Sequence, residues 1–264
     1  MVELGFEKVT MIVFTSIMKS WFIYCSKGLS LLVTVLFLFS CAKKETMPDY
    51  SKAKFTVVMK SGTNHVIWDS MNYMNAAGNK YSVETVNMYI SNVTFKAPGK
   101  VFSSKYVFYI DPRNSSKNTF FLDSIPPADY TEMTFLVGLD TDRNKTWALP
   151  NTTDNLIMGW PDPMGGGYHF MKLEGHYLDT LNVKKGYAIH LGKNENLVTA
   201  KVTAKLHQQL WDHRYTLSFD VNEVFANPYT YNLNFEPSYT MSDSLGMLKI
   251  KNNMHDAFTL FQDN

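Results

Sequence analysis

The sequence predicts an all-β protein, an antiparallel β-sandwich followed by one C-terminal helix. Aromatic residues make up 14% of the 264 residues, with 15 Tyr and 18 Phe, and such side chains fit the half-buried surface of a sheet. Short apolar segments recur between Gly, Pro, Asn and Asp turns, with no long amphipathic segment between them. Two packed sheets, or a barrel, accommodate many short strands of this kind.

The first 41 residues have the pattern of an export signal. An uncharged apolar run, Ser30–Ser40, follows Lys19 and Lys27 and is followed by Cys41. The run is too short to span a bilayer comfortably, and its flanks are typical of a signal peptide. Leu38–Cys41 is similar to a bacterial lipobox, so we expect acyl chains on Cys41 to anchor the protein in the cell envelope. An ordinary cleaved signal, or an uncleaved anchor, is the alternative.

Two boundaries follow from this segment. Glu3 and Glu7 suit an export signal badly, which suggests that translation starts at Met18. Residues 42–52 are polar and form the predicted tether, which leaves 53–264 as the folded domain. Both cysteines precede the tether, so the domain has no disulfide and must be held together by its core.

The predicted strands follow in order along the domain. They are KFTVVM (54–59), YSVETVNMYISNVTF (81–95), KYVFYI (105–110), TFFLD (119–123), YTEMTFLVGL (130–139), GYHFMKLEGHY (167–177), GYAIHLG (186–192), LVTAKVTAKL (197–206) and RYTLSFDV (214–221). A long irregular stretch, Asp140–Gly167, interrupts them. The predicted helix begins at Ser242–Ser244, which can cap it. Its apolar stripe consists of Met247, Ile250, Met254, Phe258 and Phe261.

Several kinds of function find no support in the sequence. The net charge of only +1 does not provide the excess of positive charge that is typical of nucleic-acid-binding proteins. The glycines at 165–167 precede a strand, so they lack the helix N-terminus of a phosphate loop. No common hydrolase motif is present, and we expect no enzymatic activity. Asp140 and Asp142 place carboxylates at alternate positions, so calcium is one candidate ligand there, beside an ordinary acidic turn.

Histidine and methionine are the donors left for a transition metal. His190 ends an apolar strand, where a histidine bonded to a carbonyl is the alternative to a ligand. His169 and Met171 are expected on one face of their strand, because side chains alternate with period two. Imidazole and thioether without thiolate fit copper better than zinc.

The order of motifs resembles the MbnP-like family, the methanobactin-associated periplasmic copper proteins. The motifs are VNMYISNVTF, FLVGLDTDRN, the tryptophan of MGW, GYHFMKLEG, HLG and the C-terminal NNMHDAFTL. The resemblance as a whole spans about Phe55 to Leu260. The resemblance implies a copper-binding β-sandwich in which one tryptophan is oxidised to kynurenine by a diheme cytochrome c peroxidase-like partner. The protein would then be a substrate of that partner and a copper carrier in the envelope.

The resemblance also implies site residues. Trp160 is the modifiable tryptophan, His190 and His65 are the first ligands, and Met59 and His169 are the reserves. Asp162 stands where a second tryptophan is expected. This difference keeps a second hypothesis open, a metal-free interaction or structural domain in which Trp160 only closes the end of the sandwich.

Overall fold

A computed structural model describes residues 51–263, apart from the side chain of residue 204. The predicted signal, the lipobox with Cys41 and most of the tether lie outside these residues. Ser51 and Lys52, which end the predicted tether, already belong to the first strand. No helix within the described range has the length and apolar character needed to cross a membrane.

Strands dominate the described residues. In chain order they are β1 (Ser51–Ser61), β2 (Asn64–His65), β3 (Tyr73–Met74), β4 (Lys80–Tyr81), β5 (Thr85–Ala97), β6 (Lys100–Ser103), β7 (Val107–Ile110), β8 (Thr119–Ile125), β9 (Ala128–Val137), β10 (His169–Leu178), β11 (Lys184–Gly192), β12 (Val198–Gln208), β13 (His213–Asp220) and β14 (Phe258–Gln262). The helices are α1 (Thr153–Ile157) and α2 (Ser244–Asn253).

These strands form two sheets, as the sandwich prediction requires. The smaller sheet has the order β14-β13-β1-β2, with β8 also paired to β1. The larger sheet has the order β12-β9-β5-β10-β4-β3, with β11 on β10 and β6 and β7 on β5. Pairing is antiparallel except between β1 and β13, which run parallel. The all-β sandwich is therefore confirmed, with one parallel pair that the sequence did not predict.

The core lies between the two sheets and is rich in aromatic side chains. Alternate residues of β1 point inward, and Phe55 of this strand stacks on Phe95 of the larger sheet with ring centroids 6.0 Å apart. Phe258 of β14 meets Phe135 of β9 edge to face at 5.0 Å. Such contacts join the sheets through offset and edge-to-face ring packing.

The outer face of the larger sheet is covered by the irregular stretch that links β9 to β10. The central strand β5 is consequently buried on both faces along much of its length. Tyr89, which points outward from β5, contacts Tyr168 and donates a hydrogen bond to Asn155 of α1 at 2.7 Å. A second packed layer therefore exists outside the sandwich, and the candidate site lies beneath it.

The C-terminal helix is confirmed but is shorter than its apolar stripe suggested. Asp243 caps α2 by accepting a hydrogen bond from the amide of Gly246 at 2.9 Å. The chain then leaves the helix, and Phe258 lies in β14, antiparallel to β13. Extending the helix to Phe261 was wrong, because Phe258 is buried and Phe261 exposed, as alternation along a strand requires.

Candidate metal centre

Trp160 and His169 lie on the two arms of a small hairpin over the outer face of the larger sheet. The amide of Trp160 donates to the carbonyl of Gly167 at 2.9 Å, and that of His169 to the carbonyl of Met158 at 2.7 Å. Between the arms, three successive glycines, 165–167, have positive φ angles. Only glycine takes up such a conformation readily, so the run shapes the turn.

A β-bulge changes the direction of His169. In the pairing of β10 with β11, Met171 opposes Leu191, whereas His169 opposes Gly192, and the register shifts between them. One extra residue in β10 puts His169 on the same face as His190. The expectation that His169 and Met171 share a face was therefore wrong, because strict alternation assumes an uninterrupted strand.

Trp160 packs closely against both strands beneath it. Its ring centroid lies 4.7 Å from that of His169, and its indole nitrogen donates to the carbonyl of Met164 at 3.2 Å. The side chain is only 2% exposed. A Cβ on Gly192 would lie 2.4 Å from the indole ring, so the glycine leaves the space that the indole occupies.

His190 is oriented by a carboxylate. Its Nε2 lies 2.8 Å from Oε1 of Glu174, one strand away. The ammonium nitrogen of Lys172 lies 3.7 Å from the same oxygen. The hydrogen bond from His190 lowers the pKa of Glu174, so the carboxylate accepts and Nε2 carries the proton. In the neutral form of the ring, Nδ1 of His190 is then the nitrogen with the free lone pair.

In His169 it is Nδ1, and not Nε2, that makes the hydrogen bond. Its Nδ1 lies 3.1 Å from the carbonyl of Met158, which can only accept, so Nδ1 carries the proton and Nε2 is free. Nε2 of His169 and Nδ1 of His190 are both buried and lack a hydrogen-bond partner within the described residues. The two rings are 4.9 Å apart and nearly perpendicular, at 88°.

Burial, with a smaller effect of His190, lowers the pKa of His169 to about 4. The imidazole is consequently neutral at physiological pH. A buried neutral imidazole with an unused lone pair is unusual, because buried polar atoms normally find a partner. Each of the two neighbouring rings thus has one buried nitrogen without a hydrogen-bond partner.

His65 and Met59, two of the residues singled out from the sequence, lie elsewhere. Both belong to the smaller sheet, His65 exposed in β2 and Met59 buried in β1. The amide of Ile67, two residues after His65, is hydrogen-bonded to Tyr73 of β3. Strand β3 pairs with β4, and Tyr81 of β4 pairs with Tyr177 of β10. Tyr177 is eight residues along β10 from His169, or about 26 Å.

In the acidic turn after β9, the carboxylate of Asp140 is already hydrogen-bonded to neighbouring protein groups. The carboxylate of Asp140 accepts hydrogen bonds from the Arg143 amide and the Asn92 side chain, both at 3.1 Å. The Arg143 guanidinium lies 3.6 Å away, and Asp142 is exposed. A calcium ion would have to displace these contacts.

Acidic and histidine side chains do not form a complete metal cage. Within residues 51–263, no three His, Cys, Asp or Glu side chains converge in a way that could hold a metal. A metal between His169 and His190 would therefore be held by two imidazoles or recruit a third donor of another kind. Trp160 is the side chain stacked nearest to His169.

Comparison with known proteins places this site in a family. Residues 50–242 match the model of the MbnP family. The chain belongs to the MbnP family. The matched range includes the hairpin, both histidines and Glu174, and it confirms the resemblance expected from the motifs.

A solved structure supports the fold of this MbnP family member. MbnP from Methylosinus trichosporium matches with a TM-score of 0.55 over 82% of this chain and 100% of that chain. Sequence identity is 12%, so the likeness concerns the fold alone. No match was found among the curated proteins.

Glu174 and Gly192 are parts of the site that sequence reasoning did not assign to it. Glu174 was not assigned to the site, because the pairing of β10 with β11 that brings it to His190 was not known. Gly192 was read only as the end of a strand. The HLG sequence, a histidine two residues before a glycine on one strand face, was the available signal that something bulky crosses the strand there.

Proposed function

We propose that this chain binds copper in the bacterial cell envelope, with His169 and His190 as the protein donors, and that it acts as a carrier rather than an enzyme. The observation that carries the proposal is the pair of buried imidazole nitrogens without partners, 4.9 Å apart by ring centroid. Membership of the MbnP family supports copper as the metal.

The chemistry of the donors fits this ion. Imidazole accepts either oxidation state of copper. The carboxylate of Glu174 fixes the tautomer of His190, as carboxylates commonly do behind metal-bound histidines. Because His169 is already neutral, binding would not have to displace a proton from it at neutral pH.

Trp160 would supply the further donor after oxidation to kynurenine. In this reaction the indole C2–C3 bond breaks as two equivalents of hydrogen peroxide each give one oxygen atom to the ring and leave the other as water. Hydrolysis of the resulting formamide then releases formate and leaves a ketone and an arylamine as new donors. We propose a diheme cytochrome c peroxidase-like protein as the partner that reacts with the peroxide and transfers its oxidising equivalents to the indole. A cavity that reaches Trp160 supports access to the ring.

Lipidation of Cys41 would keep the carrier at the membrane. Nine residues lie between Cys41 and the described range, and this polar segment would serve as the tether. Loss of membrane association in Cys41→Ala, read by fractionation, would support the anchor. Lipid labelling that persists in this variant would contradict it.

A competition titration of the mature protein with a chromophoric Cu(I) chelator tests the copper proposal. We expect His169→Ala and His190→Ala each to weaken binding at least about a hundredfold, since loss of an outer-shell partner alone commonly costs 10–100-fold. His255→Ala and His65→Ala, two exposed histidines, are matched controls and should bind normally. Equal affinity in all four variants would overturn the proposal.

Mass spectrometry of protein from its native envelope tests the modification separately. The peptide that contains Trp160 should carry the mass of kynurenine, and protein made without the partner should carry intact tryptophan. An unmodified peptide from the native source would remove Trp160 from the donor set and leave the two-histidine site to be judged by the titration.

A further inference from the structure

A cavity of about 240 Å³ opens beside the hairpin and reaches Trp160, and neither histidine nor Glu174 lines it. Three aromatic side chains line it: Trp147, Trp160 and Tyr168. The remaining lining is made by residues between Thr146 and Gly167. The proposed oxidation uses this cavity only as an access route to the Trp160 ring and gives it no bound ligand.

The lining of the cavity carries negative charge and no positive charge. Asp162 is its only charged residue, and no Lys, Arg or His contributes to it. One oxygen of this carboxylate accepts a hydrogen bond from the hydroxyl of Thr146 at 2.7 Å. The other has no hydrogen-bond partner among the described residues. An exposed carboxylate at the edge of an aromatic cavity favours a positively charged guest.

Trp147 is held at this cavity in an unusual way. Its side chain is 73% exposed, so packing into the core does not account for it. Its φ angle is 65°, in the left-handed region that bulky residues rarely adopt. Backbone strain of this kind is concentrated at binding sites, where the surrounding structure holds it in place.

We propose that this cavity binds the head group of an organic cation, an alkylammonium or a guanidinium. Aromatic faces attract such cations through their quadrupoles, and Asp162 provides the compensating charge. The volume is below the range of cavities that enclose drug-sized ligands, so the cavity takes a head group and not a whole large molecule. The cation belongs either to a free small molecule or to a Lys or Arg side chain of a protein.

Titration of the mature protein with choline, followed by tryptophan fluorescence or NMR, tests the proposal. The uncharged isostere 3,3-dimethylbutanol has the same shape, and we expect it to bind at least about tenfold more weakly. A peptide with one arginine, compared with the same peptide carrying norleucine, probes the protein source. Preference for choline assigns the site to small molecules, and preference for the arginine peptide assigns it to a side chain.

Two variants locate the binding. Asp162→Asn and Trp147→Ala should each weaken binding of the preferred cation at least about fivefold. Asp142→Asn and Trp211→Ala change an exposed carboxylate and a 60% exposed tryptophan outside the cavity, and they should bind as the wild type does. All four variants should retain the copper affinity of the wild type, which separates this site from the histidines.

Two results would overturn the proposal. One is binding of charged and neutral probes with equal affinity, which would make the cavity a simple apolar site. The other is a lack of binding at this cavity, seen either as no binding of either cation or as binding that is unchanged in both cavity variants. Neither result bears on the copper proposal, because the cation titration does not involve His169 or His190.

Discussion

The rings of His169 and His190 meet almost perpendicularly, with centroids 4.9 Å apart, and each has one buried nitrogen without a partner. The other nitrogen of each ring is hydrogen-bonded. Nδ1 of His169 bonds to the carbonyl of Met158, and Nε2 of His190 bonds to the carboxylate of Glu174. These bonds fix the tautomer of each ring in its neutral form, in which the two unpaired nitrogens lack protons.

Stability of the metal-free protein should fall with acid because of His169. Its pKa is about 4 in the folded state and 6.5 ordinarily. Between these values the unfolded chain takes up a proton that the folded chain does not, so stability falls as pH falls from 6.5 to 4. The loss from this group is about 3 kcal/mol.

Urea unfolding at several pH values measures this loss. His169→Gln should unfold with a shallower pH dependence across the interval, and the exposed His255→Gln should keep the dependence of the wild type. Parallel curves for the wild type and His169→Gln would contradict the buried, neutral state of His169.

Gly192→Ala should disturb the indole. A Cβ at this position would lie 2.4 Å from the Trp160 ring, and overpacking of this kind costs about 1–3 kcal/mol. Gly186→Ala on the same strand is the control, because its Cβ would meet only the hydroxyl of the exposed Tyr239 at 3.0 Å. Thermal melting and tryptophan emission check both variants, and equal behaviour of the two would show that Trp160 does not pack on Gly192.

Glu174→Gln should separate a role behind the metal from a structural role. The side chain is one-third exposed, so we expect a change in stability of less than about 1 kcal/mol. Copper affinity should fall about tenfold or more, because the carboxylate that orients His190 is lost. Glu132→Gln, which removes a carboxylate bound to Lys96 and Lys201, should leave the affinity unchanged. A large loss of stability with normal affinity would make the Glu174 pair structural.

Phe258→Ala and Phe261→Ala distinguish a strand from a helix at the C-terminus. Phe258 stacks on Phe219 at 4.7 Å and is buried, so its loss should cost about 3–5 kcal/mol. Phe261 is 56% exposed, and its loss should be nearly neutral. Denaturant unfolding measures both, and similar large costs would support the continuous helical stripe instead.

Much of the fold was predictable from the sequence because long strands carry strong alternation. All nine predicted strands correspond to strands in the structure. The two-residue strands β2 and β3 and the four-residue strand β6 were missed, since such short segments carry little periodic signal, and β4 was merged with β5. The last strand was read as a helix because Met254, Phe258 and Phe261 also fit helical spacing, and pairing with β13 decided between the two readings.

The candidate site was less predictable, because it depends on pairing across strands. Trp160, His169 and His190 were each singled out from the sequence, but only the β-bulge at the start of β10 brings the histidines onto one face. His65 was preferred to His169 on the strength of the family resemblance. No local pattern indicates that it lies at the opposite end of β10.

Nitrogen-15 NMR of the imidazole rings tests the central claim most directly. In the metal-free protein, Nε2 of His169 and Nδ1 of His190 should have the shifts of unprotonated nitrogens, and the other nitrogen of each ring should carry the proton. Addition of one equivalent of Cu(I) should move these two resonances strongly and leave those of His65 and His255 in place. Resonances of His169 and His190 that do not respond to copper, or a response at His65 instead, would contradict the account.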